Sequence, residues 1–188
     1  SDILDCLTED TDIVFLCTPN NPTGQLIPPE LLCAVSERCE RNDILLVCDE
    51  CFLGFAENSE RYSLRCFMND SSIILKAFTK LFALPGLRIG YAVCGSPDTA
   101  KSIRHTGQHW SVSVPAQLAG TAALDETDFV RRTVEYVRQE RTFLCTELHR
   151  LGIMPFPSAA NYILFKAEPG LDDLLLNEKI LIRSCGSY

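Results

Sequence analysis

The 188-residue sequence contains neither G-x-G-x-x-G nor G-x-x-x-x-G-K-[ST]. The glycine turn that seats a dinucleotide pyrophosphate and the loop that cradles nucleotide phosphates are both missing, which sets a nicotinamide dehydrogenase aside. Long apolar runs are also missing. The longest, such as Ile13–Cys17 and Ile44–Cys48, are five residues, against the roughly 20 a membrane span needs. Ser1–Asp10 is acidic and mixed, unlike a secretory leader. Basic residues are the minority, 17 against 25 acidic, for a net charge of −8. That sign argues against nucleic acid or an anionic membrane as a partner. Histidine is scarce. His105, His109 and His149 have no ligand spacing with a carboxylate or cysteine cluster, so no metal is expected. There are no internal repeats and no low-complexity stretch.

Cysteine, by contrast, is plentiful, with ten residues. Most lie inside apolar runs, where a free thiol acts as a small hydrophobe. They form no spaced framework of the secreted kind, so a cytoplasmic location is expected. Cys48 and Cys51 spell C-x-x-C around Asp49 and Glu50. No second pair or histidine follows nearby, which favours buried thiols over zinc or redox use. Apolar residues at 46% and charged residues at 22% are ordinary for a globular chain.

The first half alternates short apolar runs with helical stretches. Strands are expected at Ile13–Cys17, Ile44–Cys48, Ser72–Leu75 and Leu87–Cys94. A helix is expected at Pro29–Arg41, with proline in the first turn and Leu32, Val35 and Cys39 on one face. Continuous apolar strands separated by helices predict an α/β, three-layer, mostly parallel sheet covered on both faces. The second half reads as helices over Pro115–Leu124 and Thr127–Leu151. The longer one carries Val130, Val134, Val137, Leu144, Leu148 and Leu151 as one apolar stripe, interrupted at Arg141. Strands at Tyr162–Phe165 and Ile180–Arg183 would flank a short helix near Leu171–Asn177. Residues 1–125 are thus expected to form part of a large domain. Residues 126–188 would form an interdomain helix and part of a smaller α+β domain.

Four features carry chemistry, and each also has a plain structural explanation. Pro19-Asn20-Asn21-Pro22-Thr23-Gly24 follows a strand. It is either a turn cluster or a rigid rim loop from which Asn21 offers an amide donor. Asp49 closes a buried strand, where a carboxylate needs a cation or hydrogen-bond donors. A cap or an ion pair would satisfy it, and so would a ligand cation. Thr79-Lys80 has apolar neighbours in Phe78, Leu81, Phe82 and Leu84. Lys80 is a surface charge or, desolvated there, a nucleophilic amine. Arg88, expected to open the fourth strand, is a surface ion pair or an anion clamp. An amine, a carboxylate, an amide donor and a guanidinium together suit pyridoxal 5′-phosphate. Lys80 would meet the aldehyde, Asp49 the pyridine nitrogen, Asn21 the phenolate oxygen and Arg88 the phosphate.

The chain resembles fold-type I pyridoxal-phosphate enzymes, the class I/II aminotransferase family. The likeness rests on Pro19–Gly24, on Val47-Cys48-Asp49-Glu50-Cys51-Phe52, and on Phe78 through Tyr91 with Thr79, Lys80 and Arg88 inside it. Trp110–Gln117 and Ile182-Arg183-Ser184-Cys185 narrow it to the branch holding histidinol-phosphate aminotransferase and threonine-phosphate decarboxylase, with a lean to the latter. By this resemblance Phe52 and Thr79 belong to the cofactor site, and Arg183 would meet a substrate carboxylate or phosphate. The substrate would be a small amino acid or amino phosphate, and the protein a homodimer. Phe52 stands where the family often has a tyrosine, and Ala77 where a hydroxyl commonly meets the phosphate. The resemblance also implies further sequence on both sides of this chain, without which turnover would be negligible. Transamination and decarboxylation use the same residues. A histidinol-phosphate aminotransferase-like reaction heads the expectations, a threonine-phosphate decarboxylase-like lyase is the alternative, and a catalytically silent scaffold of the same fold is the third.

Overall fold

A computed structural model describes residues 2–186. Its centre is a four-stranded sheet of β1 (Ile13–Cys17), β2 (Leu45–Asp49), β3 (Ser72–Ala77) and β4 (Gly90–Cys94), in the order β1-β2-β3-β4. The first three strands are parallel, and β4 runs antiparallel to β3. The helices are α1 (Asp2–Cys6), α2 (Pro29–Arg41), α3 (Pro97–Thr106), α4 (Val114–Leu124), α5 (Thr127–Arg150) and α6 (Leu171–Asn177). Among the described residues no helix is long and apolar enough to cross a membrane.

The core lies where α2 meets one face of the sheet. Leu32, Val35 and Cys39 of α2 are fully buried against Leu46, Cys48 and Ile74. On the opposite face Val47 and Ile73 are buried, while Ile13 and Phe15 of the edge strand are 49% and 72% exposed. The expected mostly parallel sheet is present, and its second covering layer is open at β1 among the described residues. Topology then fixes the rim. Parallel β1, β2 and β3 all end on the same side, and β4 begins there, with Gly90 opposite Ala77. Asn21, Asp49, Lys80 and Arg88 therefore all leave the sheet at one edge, the edge at which open α/β sheets take ligands.

The sequence expectations fail at three places. Leu87–Ile89 is not strand, because the chain closes a turn there. The Phe78 amide donates to the Ile89 carbonyl at 3.2 Å, and Arg88 is left-handed with φ of 53°. Tyr162–Phe165 is reduced to a single antiparallel bridge between Pro155 and Phe165. Ile180–Arg183 is irregular, with Leu181 85% exposed. Without a neighbouring strand, an apolar run has no ladder to join. Helix α3 is an addition. Its signal was the Ser96 cap followed by Pro97, and the Ser96 hydroxyl accepts from the Asp98 and Thr99 amides.

A buried ion pair locks the rim side of the sheet. Glu50, directly after β2, has no side-chain exposure and lies 2.8 Å from Lys76 Nζ on β3. Its carboxylate also accepts from Ser63 Oγ at 2.9 Å and from the Leu64 amide at 2.7 Å. Removing one partner of such a pair leaves an uncompensated buried charge, at about 3–5 kcal/mol. Lys76→Met is accordingly expected to lower unfolding stability by about 3 kcal/mol, and Ser63→Ala by about 1–2 kcal/mol. The double variant Lys76→Met with Glu50→Gln should recover part of the loss, because the stranded charge is gone. Denaturant midpoints at constant slope measure all three.

Candidate functional site

Asp49 ends β2, half-buried, with Cys17 of β1 opposite it in register. One carboxylate oxygen accepts from the Cys51 amide at 2.9 Å. Two thiols, Cys17 and Cys51, lie beside this carboxylate, and a third, Cys48, is buried on the α2 side of the strand. Burial pushes Cys51 up to about 12, and a hydrogen bond to Asp49 and its negative charge add to the shift. Burial also raises Cys17; a hydrogen bond from the Asn21 backbone opposes the shift and the Asp49 charge adds to it. Cys48 is raised too, by burial first and then by the Glu50 charge. With these shifts the three thiols hold little thiolate, the attacking form, at neutral pH.

The loop after β1 is a hydrogen-bonded turn. The Asn20 amide donates to the Gln25 carbonyl at 2.8 Å, and the Gly24 amide donates back to the Asn20 carbonyl at 2.6 Å. Thr23 Oγ1 donates to Asn20 Oδ1 at 3.0 Å. Asn21 is exposed on this turn, and among the described residues its side chain has no hydrogen bond of its own. A residue the sequence reading did not single out, Tyr162, closes over the turn. Its hydroxyl donates to the Asn20 carbonyl at 2.9 Å. Its ring stands perpendicular to that of Phe52, with centroids 5.0 Å apart. The Phe52 ring centroid in turn lies 5.5 Å from Lys80 Nζ, within cation–π range. Burial raises the Tyr162 phenol to about 12, and Cys17, once ionised at alkaline pH, and the Asp49 charge add to the shift.

Lys80 is not enclosed by its apolar neighbours in sequence. Phe78 is the buried residue of that stretch, and Lys80 is exposed. The turn that closes back on Phe78 through the Leu84 amide leaves Lys80 at its open side. The amine is thus accessible and rests beside an aromatic pair. Thr79 is half-buried at the same place. Arg88 shares the rim by topology, but its guanidinium is turned to the Pro85 carbonyl at 3.0 Å. Arg183 is exposed, and among the described residues neither it nor Arg88 has an acidic partner. The structure therefore brings together Asn21, Asp49, Phe52 and Lys80, joined by Tyr162. It sets Arg88 at their edge and records no contact from Arg183 to the group. Chemically, the assembled part offers a free primary amine, a held carboxylate and an amide side chain along one sheet edge.

The thiol shifts have a measurable consequence. At pH 8 an alkylating reagent should modify exposed Cys6 and Cys66 while sparing Cys48 and Cys51. Asp49 favours the protonated Cys51 thiol, so Asp49→Asn should speed alkylation at Cys51, as read by peptide mass. The Tyr162 phenol works in the same sense. Its pKa in the fold lies above the ordinary value of 10.0, so its contribution is complete below pH 10 and is lost as the pH climbs toward 12. Tyr162→Phe should remove that part of the alkaline loss in denaturant titrations between pH 9 and pH 12.

The family model described as aminotransferase class I and II matches residues 1–188. A threonine-phosphate decarboxylase from Salmonella typhimurium is 38% identical over 99% of this chain and 52% of its own length. A histidinol-phosphate aminotransferase from Methanosphaera stadtmanae is 32% identical over 99% of this chain and 51% of its own. Among solved structures, the histidinol-phosphate aminotransferase from Clostridium acetobutylicum superposes with a TM-score of 0.90 at 30% identity, covering 98% of this chain and 57% of that one. The Sinorhizobium meliloti histidinol-phosphate aminotransferase in complex with pyridoxal-5′-phosphate gives a TM-score of 0.82 at 26% identity, covering 91% of this chain and 48% of its own. The chain spans about half the length of the curated relatives it matches. With the parallel sheet, the rim and these matches in agreement, the chain belongs to the class I and II aminotransferase family.

Proposed function

We propose that the whole protein is a pyridoxal-phosphate enzyme acting at the Cα of a small amino acid or amino phosphate, by transamination of the histidinol-phosphate type. The observation that carries this reading is the grouping of Lys80, Phe52, Tyr162, Asp49 and Asn21 at one sheet rim. The donor set fits the group. An exposed amine can reach an aldehyde, a half-buried carboxylate can face a ring nitrogen, and the Asn21 amide can donate to a phenolate. Residues 1–125 would form part of the cofactor-binding domain and residues 126–188 the start of the smaller one.

When bound, the cofactor supplies an electron sink for charge developing at the substrate Cα. The chain's residues have separate tasks around it. Lys80 anchors the cofactor and, once released, takes or returns a proton at Cα as a general base. Asp49 holds positive charge at the ring nitrogen. It is fixed for this by the Cys51 amide, and its neutral thiol neighbours bring no competing charge. Asn21 orients the ring from a turn whose backbone is closed at both ends. Phe52 keeps a flat apolar surface beside the amine. Arg88 would have to turn from the Pro85 carbonyl to meet a phosphate. Arg183 is assigned to a substrate anion. A cytoplasmic homodimer completes the proposal.

A second reaction is favoured by a specific finding, the 38% identity to a threonine-phosphate decarboxylase. The same anchor and ring partner, Lys80 and Asp49, would serve loss of CO₂ from the substrate as well. Borohydride reduction of the whole protein with pyridoxal phosphate, followed by peptide mapping, is expected to place a pyridoxyl group on Lys80. Lys80→Ala should abolish the adduct and lower turnover by at least about 1,000-fold, as loss of a covalent anchor and base demands. An unlabelled Lys80 in the wild-type protein would instead identify a silent scaffold. CO₂ release from threonine phosphate, or glutamate-dependent conversion of a phosphorylated keto partner, separates the two reactions.

A further inference from the structure

We infer that Tyr162 is a positioning residue for this rim: its hydroxyl fixes the Asn20–Gln25 turn that carries Asn21, and its ring fixes Phe52 beside Lys80. The ligand side of this inference rests on the cofactor reading above, whereas the juxtaposition does not.

Asn21 has no side-chain hydrogen bond among the described residues, so its direction is set by the backbone of its turn. That backbone has one cross-link from outside at Asn20. The Asn20 carbonyl accepts the Gly24 amide from within and the Tyr162 hydroxyl from 142 positions further along the chain. A second cross-link lies beside it, where the Ala159 amide donates to the Gly24 carbonyl at 2.8 Å. Gly24 lies directly against Ser158 and contributes no side chain to the contact. Gly24 has φ of +73°, and a Cβ there would fall inside the Ser158 side chain and 2.9 Å from its Cα. Both conditions call for glycine.

Tyr162 is itself held in place. Ser158 Oγ donates to the Tyr162 carbonyl at 2.7 Å and accepts from the Ala160 amide at 3.1 Å. Arg141 of α5 donates from Nη1 to the Ala160 carbonyl at 2.7 Å. A locked phenol thus presents two separate functions. The hydroxyl reaches the turn, and the ring meets Phe52 at 89° and 5.0 Å. Phe52 then meets Lys80 Nζ. Because the phenol stays protonated to about pH 12, the hydroxyl remains a donor across any working pH.

The two functions come apart by substitution in the whole protein. Tyr162→Phe removes only the donor. Amide hydrogen exchange over residues 20–25 is expected to quicken about fivefold, the equivalent of one neutral hydrogen bond. The dissociation constant for pyridoxal phosphate should rise by a similar factor, without change in its pH profile from 6 to 10. Tyr162→Leu removes the ring as well. Combined with Phe52→Leu it should be less than additive, whereas Tyr162→Phe combined with Phe52→Leu should be additive. Wild-type exchange over residues 20–25 and wild-type affinity in Tyr162→Phe would overturn the inference. Failure of the unmodified protein to bind pyridoxal phosphate would overturn the functional reading instead, and the exchange rates would then decide the role of Tyr162 by themselves.

Discussion

One carboxylate without water organises this molecule. Glu50 is a charged side chain placed where solvation is lost, and it is tolerable only because Lys76, Ser63 and Leu64 all donate to it. Those partners come from β3 and from the segment after β2, so the same contact ties two strands and a connecting loop together. Asp49, one residue earlier, points to the other side of the strand because side chains alternate along it. The structural acid and the chemical acid are thus adjacent in sequence and opposite in direction. The firmness of the first sets the position of the second.

The candidate site is assembled from strand ends and completed from far along the chain. Parallel topology delivers Asn21, Asp49 and Lys80 to one rim without any direct bond between them. The adhesive is aromatic and backbone-based: Tyr162 on the Asn20 carbonyl, Tyr162 on Phe52, and Phe52 on the Lys80 amine. The thiols around Asp49 act as spacers whose neutrality keeps the carboxylate the dominant charge. At the position where the family often places a tyrosine this chain has Phe52, yet a phenol reaches the same neighbourhood from residue 162.

Much of this was legible in the residues. The run Ile13–Cys17 and the helix Pro29–Arg41 follow directly from apolar patterning and a proline first turn. The rim residues stood out because a carboxylate closing a buried strand asks for a partner. Burial of Glu50 was hidden, since a charge beside a strand end reads as solvated until its donors are known. Tyr162 was hidden because its contacts span more than a hundred positions, and no local pattern encodes them. Ile180–Arg183 misled because an apolar run specifies burial, while a strand also needs a neighbour to pair with. Arg141 was a clue in plain view. A cation breaking an apolar stripe on α5 marks the point where the helix reaches for a carbonyl, here that of Ala160.

That last contact has a mechanical consequence. Arg141 lies 14 residues beyond Thr127 on α5, about 21 Å along the axis at 1.5 Å per residue. A tilt of the helix about its first turn by about 3° therefore carries Arg141 sideways by about 1 Å, since the helix acts as a stiff lever of that length. Ala160 follows its hydrogen bond, and the stretch seated on Gly24 follows Ala160. Gly24 adds no side chain at that seat, and Ser158 is itself tied to Ala160 and Tyr162, so the motion passes to Asn20. Helix orientation is thereby geared directly to the placement of an amide at the sheet edge.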